Sequence, residues 1–152
     1  LLAAFEKVVQ FNIGDNAIDF DMVNYDGEVV PISKYKGKTI YIDLWATWCL
    51  PCIDELPFLD SLKQNYKNYS NMVFLSLSID NNYKAWKKFL TEKGRIHETE
   101  YRIDRLKLTA YSVEVIPRTI IITKDFKIGM LNGPLPSALE TKSILNALIE
   151  KN

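Results

Sequence analysis

The fold is decided by residues 39–52, which read TIYIDLWATWCLPC. The first half of this stretch is rich in β-branched and aromatic residues, and that composition predicts a buried strand. Residues 46–48 are expected to turn the chain, and a helix is expected to begin at or just after Cys49. Pro51 suits the first turn of that helix, where a missing N–H costs nothing. The stretch therefore predicts a strand, a turn and a helix, with two cysteines at the start of the helix.

Cys49 and Cys52 are the only cysteines in the chain, and the spacing Cys-x-x-Cys has several interpretations. A structural zinc site takes four ligands, and His97 is the only histidine that could join the pair. A structural disulfide at this spacing would close a very small loop and remove little entropy from the unfolded chain. The remaining interpretation is redox chemistry, because the spacing places both sulfurs on one side of a helical turn.

The position of Cys49 at the start of a helix predicts its reactivity. The free N–H groups and the dipole at a helix N-terminus favour negative charge, so they stabilise a thiolate and lower the pKa of the thiol. Cys49 is therefore predicted to be the nucleophile. Cys52, one turn deeper, is expected to be less exposed and to act as the resolving thiol.

Residues 45–52 resemble the active-site stretch of thioredoxins, of the form WAxWCxPC, and further matches point to the TlpA/ResA-type thiol–disulfide oxidoreductases. Residues 14–20 are similar to the G-x-x-A-P-D-F opening of that branch, with Ile18 where proline is usual. Glu55 and Pro57 match its CxxExP extension, and Pro117 precedes a β-rich run where the superfamily has its cis-proline. The resemblance covers roughly residues 13–150.

The resemblance implies an α/β protein with a thioredoxin fold, in which helices flank a central mixed β-sheet. An added N-terminal β-hairpin is expected at residues 19–25 and 28–32, and a central helical insertion at residues 82–94. Residues 1–12 are expected to be an N-terminal extension, and residues 13–152 a single domain. A strand is predicted at 72–79, a short helix at 104–111 and a closing hairpin at 119–123 and 126–131. Ser137-Ala138-Leu139-Glu140 has the pattern of a capping box, which predicts that the last helix opens there.

The resemblance also implies roles for residues beside the cysteines. Asp43 lies where thioredoxins carry a buried proton-relay acid, although a carboxylate that reaches water at a strand end is the alternative. Burial would raise its pKa, because it disfavours the charged form. Glu55 matches a glutamate that handles protons at the active site, the alternative being a solvated residue on a helix face. Pro117 is expected to be cis and to face the cysteines.

Substrate binding is expected from the residues around these groups. The backbone of Ile116 would pair with a substrate strand, as in other thioredoxin folds. Trp48, Leu50 and Pro51 would form the surface around Cys49. Arg118 would steer substrates or tune Cys49, and a solvated loop arginine is the alternative.

Composition and charge exclude other classes. The chain has 152 residues, 19 Lys and Arg against 19 Asp and Glu, and 47% hydrophobic residues, as in an ordinary globular protein. It lacks the basic excess of a protein that neutralises nucleic-acid phosphates, so no nucleic-acid partner is expected. No apolar run approaches the ~18 residues of a membrane span. The chain begins without Met, which suggests a processed or excised chain that lacks its signal or anchor.

The sequence therefore predicts a disulfide reductase that acts through a Cys49/Cys52 dithiol–disulfide cycle and needs no further cofactor or metal. Its partners would be a disulfide-containing substrate protein and a membrane or periplasmic thiol reductant, since the family is extracytoplasmic. Peroxiredoxin chemistry is disfavoured because Ala46 replaces the threonine expected three residues before the nucleophile. The alternative is a copper chaperone that uses both cysteines and His97, or a binding domain whose disulfide is only structural.

Overall fold

The computed structural model describes residues 12–150 of the chain. A mixed sheet of seven strands lies in the order β2-β1-β5-β4-β3-β6-β7. β3, β4 and β5 run parallel to one another, and the other neighbouring strands pair antiparallel. The strands are β1 (Asp21–Asn24), β2 (Val29–Pro31), β3 (Thr39–Trp45), β4 (Met72–Ser78), β5 (Glu100–Arg102), β6 (Arg118–Ile122) and β7 (Ile128–Met130).

Within residues 12–150, three α-helices accompany the sheet: α1 (Leu50–Asn65), α2 (Tyr83–Glu92) and α3 (Thr141–Glu150). Two 3₁₀ helices span Ile32–Tyr35 and Arg105–Tyr111. α1 and α3 pack on the face of the sheet that carries Tyr41 and Phe74, through apolar residues such as Leu59 and Leu145. The predicted α/β thioredoxin architecture is confirmed, with both the added hairpin and the helical insertion.

The N-terminal hairpin turns between the two predicted strands. Gly27 takes a φ of 85°, which glycine adopts at no steric cost, and its N–H donates to the Asn24 carbonyl. The Asn24 side chain also accepts from the backbone N–H groups of Asp26 and Glu28. Through β1, the hairpin joins the sheet beside β5.

Two features differ from the sequence-based expectations. β5 was not predicted, because its three residues carry charge at both ends and lack an apolar pattern. The prediction of a capping box at Ser137 is wrong, because α3 begins at Thr141. The Ser137 backbone and hydroxyl instead bind a glutamate on α1, which is described below.

Both edges of the sheet have features that limit pairing with a further strand. β2 is three residues long and ends with Pro31, which has no N–H to offer. Beside β7, the segment that precedes β1 pairs with the strand: the Gly14 N–H donates to the Ile128 carbonyl, and the Ile128 N–H donates to the Asp15 carbonyl. The predicted extension 1–12 falls almost wholly outside the described residues, and the domain boundary at residue 13 stays a prediction.

Candidate active site

The two cysteines form a disulfide at the N-terminus of α1, with their Cα atoms 5.2 Å apart. Cys49 is the N-cap of the helix, and its Sγ accepts a hydrogen bond from the Cys52 N–H at 3.3 Å. Cys49 is 7% exposed and Cys52 is 1% exposed. The expectation that Cys52 is the less exposed thiol is therefore confirmed, and an N–H group already points at the sulfur of Cys49.

The surface beside the disulfide is apolar. Trp48 is 66% exposed and Leu50 is 74% exposed, although large hydrophobic side chains are usually buried. Pro51 is also exposed. The peptide bond between Ile116 and Pro117 is cis, as predicted. The substrate-binding roles of these residues stay predictions.

Asp43 is the buried acid of the site. It lies in the middle of β3, is 1% exposed, and neither of its carboxyl oxygens has a hydrogen-bond partner. Burial, followed by the nearby charge of Glu100, raises the pKa of Asp43 to about 7. The alternative of a carboxylate that reaches water is therefore wrong. A carboxyl group with this pKa can take up and release a proton near neutral pH.

Asp43 belongs to a row of polar residues that crosses the sheet. It stands in register with Thr119 on β6 and with Ser76 on β4, and Ser76 stands in register with Glu100 on β5. Glu100 is fully buried, and burial raises the pKa of its carboxyl group. The row therefore holds two buried carboxyl groups on one face of the sheet.

Cations from outside the sheet approach this row. Lys63 on α1 donates to the Ser76 hydroxyl at 3.5 Å, and burial lowers the pKa of its amine. Arg95, in the segment after α2, contacts Glu100 at 3.4 Å and forms two hydrogen bonds with Asp60 at 2.8 and 3.0 Å. Lys63 and Arg95 both lower the pKa of Asp43, but burial and Glu100 outweigh them.

Glu55 lies on α1 beneath the loop that precedes α3. It is 9% exposed, and its carboxylate accepts the Ser137 N–H at 2.9 Å and the Ser137 hydroxyl at 2.7 Å. The alternative of a solvated residue on the helix face is therefore wrong. The predicted role in proton handling stays a prediction, and the contacts give Glu55 a structural role.

Arg118 opens β6 directly after the cis-proline and is 9% exposed. Its guanidinium donates to the backbone carbonyls of Leu131, Ser112 and Tyr111. The alternative of a solvated loop arginine is wrong, because the side chain ties the segment before the cis-proline to the loop after β7. A role in steering substrates stays a prediction.

His97 is exposed in the segment between α2 and β5, as expected of a surface histidine. Among residues 12–150, no three or more His, Cys, Asp or Glu side chains are grouped so that they could hold a metal ion.

Comparison with known proteins places the chain in a family. The family model described as Redoxin matches residues 12–132. The chain belongs to the Redoxin family. It is 27% identical over 124 residues to the thiol-disulfide oxidoreductase ResA of Bacillus anthracis, a match that covers 82% of this chain and 71% of the relative.

Solved structures agree with this assignment. A crystal structure from Bacteroides vulgatus, described as that of a candidate thiol-disulfide oxidoreductase, shares 37% identity at a TM-score of 0.82 and covers 90% of this chain and 96% of that one. A structure from Chlorobium tepidum, described as a candidate thiol:disulfide interchange protein DsbE, shares 27% identity at a TM-score of 0.76, over 91% and 99% of the two chains. This Redoxin-family chain is a TlpA/ResA-type thiol–disulfide oxidoreductase.

Sequence reasoning missed the residues that surround Asp43 in this Redoxin-family oxidoreductase. Glu100 and Arg95 are far from the CxxC motif in sequence, Lys63 lies near the other end of the helix that begins there, and none of the three belongs to a recognised motif. Glu100 would have been found if the short segment Glu100-Tyr101-Arg102 had been assigned to a further strand, because that strand pairs with β4 and brings Glu100 beside Ser76. Lys63 and Arg95 gave no such signal, because charged residues on a helix and in a loop are usually solvated.

Proposed function

We propose that this oxidoreductase reduces disulfides of substrate proteins outside the cytoplasm. The observation that carries the proposal is the pair of residues between the cysteines. Leu50 and Pro51 are exposed and have no side-chain hydrogen-bond donor to stabilise a Cys49 thiolate further. A strong oxidant needs a strongly stabilised thiolate in its reduced form. The helix N-terminus stabilises the thiolate without help from these two side chains, and this favours a reductase.

In the first step, the Cys49 thiolate attacks one sulfur of a substrate disulfide. A bond forms between Cys49 Sγ and that sulfur, the substrate S–S bond breaks, and the other substrate sulfur leaves as a thiolate that takes up a proton. The apolar surface of Trp48, Leu50 and Pro51 would contact the substrate. The backbone of Ile116, next to the cis-proline, would pair with the substrate chain.

In the second step, Cys52 resolves the mixed disulfide. The Asp43 carboxylate takes the Cys52 thiol proton, and the Cys52 thiolate attacks Cys49 Sγ. The second substrate sulfur leaves as a thiolate and is protonated, so the substrate gains two electrons and the protein keeps the Cys49–Cys52 disulfide. An acid with a pKa of about 7 suits this step, because it is partly ionised at neutral pH.

The oxidised pair must then be reduced by another dithiol, for which we propose a membrane or periplasmic thiol carrier. The extracytoplasmic location is supported by the resemblance to the TlpA/ResA branch. None of the helices described within residues 12–150 is both long and apolar enough to cross a bilayer. The electrons pass through the cysteine pair itself, so the proposed cycle uses no bound cofactor.

Redox equilibration tests the direction of the reaction. The protein is equilibrated with dithiothreitol or glutathione buffers, and the oxidised fraction is read from Trp48 fluorescence. A reductase is expected near the ~−270 mV of thioredoxin, and a potential more oxidising than about −180 mV would contradict the proposal. Insulin reduction with dithiothreitol is the parallel assay, because a binding module would not accelerate it.

A further inference from the structure

Asp80 is a buried carboxylate that the exchange reaction described above does not use. It lies two residues after the end of β4 and is 2% exposed. Its carboxylate accepts the Thr47 N–H at 3.0 Å, the Thr47 hydroxyl at 2.7 Å and the Ser78 hydroxyl. A buried carboxyl group is unfavourable unless it is hydrogen-bonded, so these donors hold Asp80 in one place.

Thr47 lies in the turn that delivers the nucleophile. The Cys49 N–H donates to the Ala46 carbonyl at 3.1 Å, so Thr47 and Trp48 are the two central residues of the turn. Thr47 is therefore fixed by two hydrogen bonds to a single carboxylate, while Trp48 beside it is exposed. Asp80 holds the turn from the side of the sheet.

Asp80 itself is attached to rigid structure. The Ile79 N–H donates to the Trp45 carbonyl at 2.9 Å, which extends the pairing of β3 and β4 by one residue. The Asp80 N–H donates to the Ser78 hydroxyl, and Arg102 on β5 donates to the Asp80 carbonyl at 3.3 Å. The position of Asp80 is thus set by β3, β4 and β5 together.

We propose that Asp80 is a positioning residue that holds the Thr47 turn and thereby sets the reactivity of Cys49. The stabilisation of a thiolate at a helix N-terminus falls off within the first turn, so it depends on where the sulfur lies relative to the N–H groups. A looser turn moves the Cys49 sulfur off the Cys52 N–H, raises the thiol pKa and slows attack at neutral pH. Asp80 does not touch the reacting sulfurs, and it acts only through Thr47.

The test uses variants that leave the charge of Asp80 in place. Thr47→Val removes the hydroxyl bond to Asp80 at nearly constant shape, and Thr47→Ser keeps it. Ser78→Ala is the matched control, because it removes both hydrogen bonds between the Ser78 hydroxyl and Asp80 but leaves both Thr47 donors on the Asp80 carboxylate. The readout is the pH dependence of iodoacetamide alkylation of Cys49 in the reduced protein, with urea denaturation alongside.

Thr47→Val is expected to raise the Cys49 thiol pKa by about one unit, which moves the whole pH profile of alkylation to higher pH and corresponds to a tenfold smaller ionisation constant. Thr47→Ser and Ser78→Ala are expected to keep the wild-type pKa, although Ser78→Ala lowers stability. If Thr47→Val loses stability as Ser78→Ala does but keeps the wild-type pKa, Asp80 is merely structural and the proposal is wrong.

A double-mutant cycle then assigns the effect to Asp80. Removal of a carboxylate also changes the local charge, so the decisive comparison is Thr47→Val made within an Asp80→Ala background. No further change in the Cys49 pKa is expected there, and a change as large as in wild type would overturn the proposal. If Asp80→Ala does not fold, the Thr47 and Ser78 variants decide alone. The proposal rests on Cys49 being the nucleophile, which the wild-type alkylation profile checks separately.

Discussion

Asp43 and Glu100 lie on the same face of the sheet, two strands apart, with Ser76 in register between them. At the usual spacing of strands their Cα atoms are about 10 Å apart. Both carboxyl groups are buried, and each has an oxygen without a hydrogen-bond partner. The proton acceptor proposed for Cys52 is therefore coupled to a second acid that no motif indicates.

Asp43→Asn is expected to stabilise the protein more at pH 8 than at pH 4. The pKa of Asp43 is about 7 in the folded protein against an ordinary 3.8, so the unfolded chain releases the proton first. Stability is then lost as pH rises from about 4 to about 7, and the cost persists above that range. Thermal melts of wild type and variant at both pH values measure the difference.

The same substitution is expected to slow insulin reduction, because Cys52 loses its proton acceptor. Equal stabilisation at the two pH values together with unchanged turnover would show that Asp43 neither carries a buried charge nor relays a proton.

Glu100→Gln is expected to lower the pKa of Asp43, because it removes the negative charge that ranks next to burial among the causes of the shift. The measurement is an NMR titration of the Asp43 carboxyl carbon. Asp60→Asn is the matched control: it removes the charge and one of the two acceptors that pair with Arg95 but leaves Glu100 in place. An Asp43 pKa that moves equally in both variants would assign the effect to Arg95 instead.

Iodoacetamide at pH 7 is expected to alkylate Cys49 of the reduced protein far faster than Cys52. Cys49 is the more exposed thiol and caps the helix, so its pKa should lie within the ~3.5–7.5 range of activated cysteines. Peptide mapping by mass spectrometry identifies the labelled site. Preferential labelling of Cys52 would reverse the roles of nucleophile and resolving thiol.

Glu55→Ala is expected to lower the free energy of unfolding by about 1–3 kcal/mol, because the N–H and hydroxyl of Ser137 lose their acceptor. Glu55→Gln keeps an oxygen for the N–H and is expected to remain near wild-type stability. Urea denaturation measures both variants. If the Glu55→Gln variant is stable but reduces insulin more slowly, Glu55 handles protons as predicted. If that variant reduces insulin at the wild-type rate, the role of Glu55 is structural.

Arg118→Ala is expected to destabilise the protein by about 1–3 kcal/mol, because three carbonyls lose their donor. Arg118→Lys is expected to recover little, because an ammonium group cannot reproduce the planar fork of a guanidinium. The matched control is Arg105→Ala, since Arg105 also binds two carbonyls near the cis-proline loop but is exposed. Equal losses of stability at the two positions would contradict the importance of burial at Arg118.

Local patterns predicted the parts of the fold that depend on local chemistry. The β-branched and aromatic residues before the cysteines predicted β3, the residues around Cys49 and Pro51 predicted the start of α1, and the family resemblance predicted the cis peptide at Pro117. The predictions were wrong or incomplete where contacts with residues distant in sequence determine the local structure. Ser137 has the local pattern of a helix cap, but Glu55, 82 residues away, takes its hydroxyl and N–H. β5 is a strand because β4 and β1 flank it, although its own sequence has little β character.

The two edges of the sheet bear on how a protein of this kind meets its substrates. Polypeptides that carry reducible disulfides can be incompletely folded and can offer unpaired strands, and an exposed sheet edge is a template for such strands. Here one outer strand is short and ends in Pro31, and the other is occupied by the chain's own segment at Gly14 and Asp15. Adventitious strand addition, with the aggregation that it promotes, is thereby discouraged at both ends of the sheet. Under the proposed function, an extended polypeptide would be recognised by the loops beside the disulfide instead, and would be released from them once its own disulfide has been reduced.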